Sequence, residues 1–165
     1  MTRGTSPFRF PVSDLLETGH RREVAFDASV DWTLELSQVG PSLHGDFTLE
    51  GASGGILARG RVDTAITSTC HRCLTEWTEP LEVAVVEVLG LGEDPDGYPL
   101  HGDVADLESP IRDTILLELP LAPTCRPGCL GLCARCGGDL NTASCLGHEE
   151  ESDSPFASLR ELFEP

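Results

Sequence analysis

Ile56-Leu-Ala-Arg-Gly-Arg-Val-Asp-Thr-Ala-Ile-Thr-Ser-Thr-Cys70-His-Arg-Cys73-Leu-Thr-Glu-Trp-Thr-Glu-Pro-Leu81-Glu-Val-Ala-Val-Val-Glu-Val-Leu89 is the stretch that decides the fold. Its first part reads as a strand through Cys70. Val62, Thr64 and Ile66 share one face, and Asp63, Ala65 and Thr67 share the other, as a two-residue period requires. Leu81 to Leu89 is a second β-rich run. The two are joined by a Leu74–Pro80 connection, so an antiparallel hairpin with Cys70 and Cys73 at its tip is expected.

Upstream, residues 24–39 read as extended chain, with alternation in Trp32-Thr33-Leu34-Glu35-Leu36. Gly40-Pro41 signals a turn. Leu43 to Glu50 reads as another strand, and Gly51, Gly54 and Gly55 as a loop. Residues 1–22 are polar, with Phe8, Phe10, Val12, Leu15 and Leu16 as scattered apolar anchors.

Downstream, residues 90–106 are rich in Gly, Pro and acids and read as a loop. A helix follows, capped by Asp106 or Ser109, with Pro110 in its first turn. Ile111, Ile115, Leu116 and Leu119 form its apolar face. Pro120 and Pro123 end it. The expected fold class is α+β: a strand-rich antiparallel domain (1–124) with one main helix. A Cys-rich, zinc-stabilised segment follows (125–148). Residues 149–165 comprise an acidic linker and a short amphipathic helix through Phe156, Leu159, Leu162 and Phe163.

The chain has 165 residues and a formal net charge of −17, with 28 acids against 11 basic residues, every one of them Arg. A protein that grips nucleic acid by itself shows a basic patch, because neutralised phosphates release counterions. This chain lacks the charge for a strong nonspecific grip; if it works near RNA, the route is a basic protein partner or a small local Arg surface. No run approaches the roughly 20 apolar residues of a membrane span. The first ten residues lack the apolar stretch of a signal peptide. The expected location is cytoplasmic, with no membrane partner.

Seven cysteines are present. The odd count and a reducing compartment disfavour a disulfide framework. Cys70-x2-Cys73 and Cys133-x2-Cys136 have the spacing with which one turn supplies two tetrahedral ligands. Cys125, Cys129, Cys145 and His148 complete eight candidate donors, enough for two Zn2+ ions. Gly137, just past the second pair, allows the positive φ such a turn needs. Three partitions are open. Cys70 and Cys73 can join Cys125 and Cys129, leaving Cys133, Cys136, Cys145 and His148 as a distal finger. Alternatively, Cys125, Cys129, Cys133 and Cys136 form one local site, or the two CxxC pairs combine. His71 reads as an exposed turn residue. Arg72 and Arg126 flank ligands and are candidates for contacting RNA or a partner.

Nothing in the chain has the form of a nucleotide loop, nucleophile elbow or HExxH helix. A thioredoxin-type CxxC opens a helix, whereas Cys70 ends a strand. No catalytic residues are assigned and no small-molecule substrate is expected.

Cys70-His-Arg-Cys73-Leu, Ile111-Arg-Asp-Thr-Ile-Leu-Leu-Glu-Leu-Pro120 and Cys129-Leu-Gly-Leu-Cys133-Ala-Arg-Cys136-Gly-Gly-Asp-Leu-Asn141 together resemble the YceD-like large-subunit ribosomal RNA accumulation proteins. Pro155-Phe156-Ala157-Ser158-Leu159 is similar too. The resemblance runs from about residue 8 to the end. It implies a role in accumulation or maturation of 23S ribosomal RNA, without catalysis. Many members carry a further Cys two residues after the one matching Cys145; here that place is Gly147, with His148 next. The expected function is a non-enzymatic ribosome assembly factor. Its partner would be a large-subunit precursor or a basic ribosomal protein, and its contact with RNA can be indirect. The rivals are a zinc-ribbon adaptor unrelated to ribosomes and a thiol-disulfide oxidoreductase.

Overall fold

The computed structural model describes residues 6–16, 19–90, 97–145 and 147–148. In chain order the elements are β1 (Arg9–Pro11), a 3-10 turn (Ser13–Leu15), β2 (Arg21–Ser29), β3 (Trp32–Leu34), β4 (Ser37–Ala52), β5 (Gly55–Thr69), β6 (Glu76–Gly90), β7 (Tyr98–Pro99), β8 (Val104–Asp106) and α1 (Glu108–Glu118). Among the described residues the fold is strand-rich with one main helix, as expected. A six-stranded sheet runs β2-β4-β5-β6-β7, with β3 also paired to β4, and a separate ribbon joins β1 to β8. The pairing is antiparallel except for the short β6–β7 contact, which is parallel.

The hairpin predicted around the first cysteine pair is the centre of this sheet. β5 and β6 pair continuously from Gly55↔Gly90 to Thr69↔Glu76. The Leu74–Pro80 connection is shorter than expected, because β6 already starts at Glu76. Pro80 interrupts nothing: β6 is an edge strand along that part, where a missing N–H is tolerated. The expected turn at Gly40-Pro41 is likewise absorbed into a strand. β4 runs through it with a register shift between Val39 and Leu43. The Val30 N–H donates to Pro41 O at 3.0 Å. Gly40 lies at φ 128, and a Cβ there would collide with Val30 O.

One face of the sheet is the core. Val39, Leu43, Phe47, Leu49, Ile56, Ala58, Val62, Ile66, Val83, Val85 and Leu89 point into it. Phe26 crosses its partner Gly45, and Phe47 crosses Gly60. A Cβ on Gly45 would lie 2.5 Å from the Phe26 ring, and one on Gly60 2.6 Å from the Phe47 ring. These glycines serve as seats for aromatic rings, the pairing that lets a sheet keep glycine in mid-strand. Phe26 in turn meets Phe8 edge-on at 5.1 Å and stacks on Phe47 at 6.1 Å. Three of the five N-terminal anchors are core, Phe8, Val12 and Leu15; Phe10 packs against it half-buried, and Leu16 is exposed. The 90–106 stretch, expected as loop, contributes β7 and β8.

α1 closes the core with Pro110, Ile111, Ile115 and Leu119 buried and Leu116 packed at the edge. Asp106 Oδ1 accepts the Glu108 N–H at 3.2 Å from just before the first turn. Ser109 lies inside the helix rather than capping it. Among the described residues, no helix is long and apolar enough to cross a membrane. The amphipathic helix expected in 155–163 lies outside the described residues.

Candidate metal centre

The two CxxC turns fold alike. Leu74 N–H donates to Cys70 O at 2.9 Å, and Gly137 N–H donates to Cys133 O at 2.9 Å. Cys70 N–H reaches Thr75 O at 2.9 Å, and Cys133 N–H reaches Gly138 O at 2.8 Å. The residue after each pair is left-handed, with φ 60 at Leu74 and φ 70 at Gly137. Gly137 does this freely, whereas an L-residue such as Leu74 is strained by about 1–2 kcal/mol. In both turns an Arg sits two residues after the first cysteine. Its amide and that of the second cysteine turn towards the first sulfur.

Those amides favour thiolates. Burial pushes the Cys70 thiol up, but amides of Cys125, Cys73 and Arg72 outweigh it and bring it to about 6. The Cys136 and Arg135 amides, with His148, bring Cys133 to about 6. The Thr75 hydroxyl, 3.3 Å away, leads the lowering of Cys73. Cys125 moves the other way: burial and the sulfurs of Cys73, Cys129 and Cys70 push it up to about 12. The Gly147 amide pulls Cys145 down, yet burial and the sulfurs of Cys133 and Cys136 leave it raised. Each cluster thus pairs a thiol drawn towards the thiolate, Cys70 or Cys133, with one that resists a further negative charge, Cys125 or Cys145, the situation a bound cation relieves.

The eight donors fall into two groups, the first of the three partitions considered. Cys70, Cys73, Cys125 and Cys129 form one; Cys133, Cys136, Cys145 and His148 form the other. Within each, all donor atoms lie within 4.8 Å of one another, so each group could hold a metal ion. Four thiolates at about 2.3 Å from one ion stand roughly 3.8 Å apart. Cys70 and Cys129 sulfurs are 3.9 Å apart, Cys73 and Cys125 3.6 Å, and Cys133 and Cys145 3.8 Å. His148 Nε2 lies 3.2 Å from Cys133 Sγ and 3.0 Å from Cys145 Sγ. All seven cysteines are free thiols. The first group ties the hairpin tip to the chain beyond α1, with Cys70 and Cys129 buried; the second is more open, with Cys136 and His148 exposed.

Asn141 braces the loop that carries Cys129 and was not singled out from sequence. Its Oδ1 accepts the Leu130 N–H at 2.9 Å and Arg126 Nη2 at 2.8 Å. Its Nδ2 donates to Asp139 Oδ1 at 2.7 Å and points at Cys129 Sγ at 3.6 Å. Only the Gly-Asp-Leu-Asn run after the second pair hinted at this. Arg72 Nη1 donates to Cys129 O at 3.1 Å, and Arg72 O accepts Leu132 N–H at 2.9 Å. Both flanking arginines therefore brace the ligand loops. His71 is exposed, sits in neither donor group, and its Nδ1 is 2.9 Å from Pro123 O.

Comparison with known proteins fits the residues at this centre. The model of the "Large ribosomal RNA subunit accumulation protein YceD" family matches residues 58–163. An uncharacterized protein of Mycobacterium tuberculosis is 36% identical over 135 residues, covering 76% of this chain and 64% of its own length. One from Mycobacterium leprae is 31% identical over 148 residues, covering 84% of this chain and 67% of its own. The chain thus spans about two thirds of the mycobacterial relatives it matches. An Arabidopsis thaliana protein named large ribosomal RNA subunit accumulation protein YCED homolog 1, chloroplastic, is 30% identical over 141 residues, covering 64% of this chain and 43% of its own. No solved structure matches. With a family match that takes in the hairpin, the helix and every candidate ligand, the chain belongs to the YceD family of large ribosomal RNA subunit accumulation proteins.

Proposed function

We propose that this chain is a non-enzymatic, zinc-stabilised factor that promotes accumulation of large-subunit ribosomal RNA in the cytoplasm. It does so by binding a large-subunit precursor or one of its basic proteins. Family membership carries the ribosomal part. The metal part rests on the donor sets: four protein ligands each, sulfur-rich and closed. Structural zinc sites are closed in this way, whereas catalytic ones keep a position for water. Cys70, Cys73, Cys125 and Cys129 would hold one Zn2+. Cys133, Cys136, Cys145 and His148 would hold a second.

The acidic surface favours a basic protein as the direct partner, with RNA contact indirect or confined to the metal end. Arg72 and Arg126, both exposed there, are the side chains assigned to it. Tagged protein should co-sediment with large-subunit particles in a sucrose gradient and carry two zinc per chain. Depletion should lower 23S relative to 16S RNA. An unchanged RNA ratio with a normal subunit profile would overturn the proposal.

A further inference from the structure

β6 is an edge strand for most of its length. Its outer side pairs with β7 only at Leu89↔Tyr98 and Gly90↔Pro99. Among the described residues no strand pairs with that side from Glu76 to Val88. Its inner side is fully laddered to β5. Such an edge presents a row of unpaired N–H and C=O groups, and proteins normally blunt it. Pro80 does so for the first part. From Leu81 to Val88 the edge is regular, about 27 Å of strand at the usual rise per residue.

The side chains along this edge have a marked character. Val86 and Val88 are on the open face, 55% and 50% exposed. Glu82 is exposed on the same face, and Glu87 is half-buried on the other. Glu76 and Glu79 precede them. β6 itself, from Glu76 to Gly90, has four acids and no Arg or His. Two cations of β5 stand beside β6 on this open face: Arg61, 3.2 Å from Glu82, and Arg59, exposed and opposite Val86 in the register. A second copy of this chain is a poor occupant. Pairing two β6 edges would line one seam with the glutamates of both strands, and β6 supplies no cation to offset them. An extended segment rich in Lys or Arg, with small apolar residues between, meets every feature. Its backbone completes the ladder, its cations face Glu82 and Glu87, and its apolar side chains cover Val86 and Val88.

We infer that the Leu81–Val88 edge of β6 is a docking site for an extended basic peptide segment, which adds to the sheet as a further antiparallel or parallel strand. This deepens the proposed function, on which it rests, by giving the basic partner a place to bind.

The test uses the full, zinc-loaded chain and a ten-residue valine/threonine peptide with two lysines five residues apart, so that one faces Glu82 on the open side and the other faces Glu87 on the opposite side. A second peptide of the same sequence, N-methylated along its backbone, keeps the charge but has no N–H donors. The first should bind, shift and protect the amides of Leu81–Val88, and lose at least tenfold in affinity when methylated. Glu82→Gln with Glu87→Gln should weaken it several-fold, and Glu82→Lys with Glu87→Lys should abolish it. Glu23→Lys, on β2 at the far side of the sheet, should change it less than twofold. Equal binding of the methylated peptide, protection elsewhere, no binding, or a β6-paired dimer of the free chain would each overturn the inference. The ribosomal proposal is read separately. If the Lys variant still co-sediments with large-subunit particles, the docking inference fails and that proposal stands. Binding of the peptide at the edge by a chain that ignores the particle gives the opposite result.

Discussion

Asn141→Ala should weaken metal binding at a site to which Asn141 contributes no ligand. The side chain accepts the Leu130 N–H, braces Arg126, bonds Asp139, and directs Nδ2 at the Cys129 sulfur. The Arg126 contact is exposed and worth little. A net bond to Leu130 contributes about 1 kcal/mol, and the contact to a metal-bound thiolate a similar amount. Together these come to about 2 kcal/mol. Outer-shell residues of metal sites typically change affinity by about 10–100-fold, equivalent to about 1.4–2.7 kcal/mol, which agrees. Cobalt substitution with chelator competition is the assay, because an all-sulfur set and a three-sulfur, one-nitrogen set absorb differently. The variant should still bind two equivalents, with the all-sulfur site weakened 10- to 100-fold and the His148 site within threefold. Asn141→Asp keeps the acceptor but puts a carboxylate beside the thiolates, so it should do worse than Ala. All-sulfur affinity within twofold of the parent would refute the assignment.

Gly137→Ala should cost about 1–2 kcal/mol by thermal unfolding, from backbone conformation alone, since its Cβ would meet nothing within 4 Å. Gly60→Ala should cost more, because its Cβ would strike Asp46 O and the Phe47 ring. Ile115→Ala, fully buried on α1, should lose about 2–5 kcal/mol, while Leu117→Ala on the same helix should change stability by less than about 0.5 kcal/mol. His44 should titrate above the ordinary imidazole value by NMR, chiefly through its bond to Asp27, with Asp46 also contributing. Its stabilising effect is complete below the unfolded-state pKa and is lost as pH rises through the folded one; Asp27→Asn should lower its titration point. Chelating the metals should collapse amide protection in 124–148 while leaving β4 and β5 protected, as hydrogen exchange would show.

The hairpin and both CxxC turns were legible because each is written within a few residues. Strand alternation fixes β5 and β6, and a CxxC with glycine behind it fixes the second turn. The first turn hides its left-handed residue, because Leu74 carries no signal that it takes the φ that Gly137 takes. Gly40-Pro41 misled for a related reason: a local breaker signal was overridden by long pairing on either side of it. The rest was hidden by distance along the chain. β1 finds β8 across most of the sequence, at Arg9↔Asp106, and that pairing is what turns Phe8 and Val12 from scattered anchors into core. Phe26 needs Gly45 and Phe47 needs Gly60, partners 19 and 13 residues away by their register. Asn141 was invisible as a functional residue because its importance lies in what it touches, not in any ligand chemistry of its own.

The segment beyond α1 shows why the metal and the sheet belong to one argument. Between 124 and 148, Cys129 and Gly131 are the residues buried among those described. Its isolated β pairing is the Leu132↔Asp139 bridge. That burial cannot offset the conformational entropy of ordering the segment, at roughly 1–2 kcal/mol per residue for the backbone alone. Structural zinc, at about 10–16 kcal/mol per site in small peptides, is of the size required. Cys70 and Cys73 place the first site at the tip of β5 and β6, three residues before the glutamate-lined edge begins at Glu76. An ion there would clamp the hairpin end at which β6 starts, and would do so without adding a cation that the thiolates do not already overbalance, since a zinc with four thiolates is left at −2. Metal binding on the proposed reading would fix the end of the strand while leaving its edge free for the proposed basic segment. The two features need each other in that order: an edge of this charge is useful for docking only if the strand that carries it is already held.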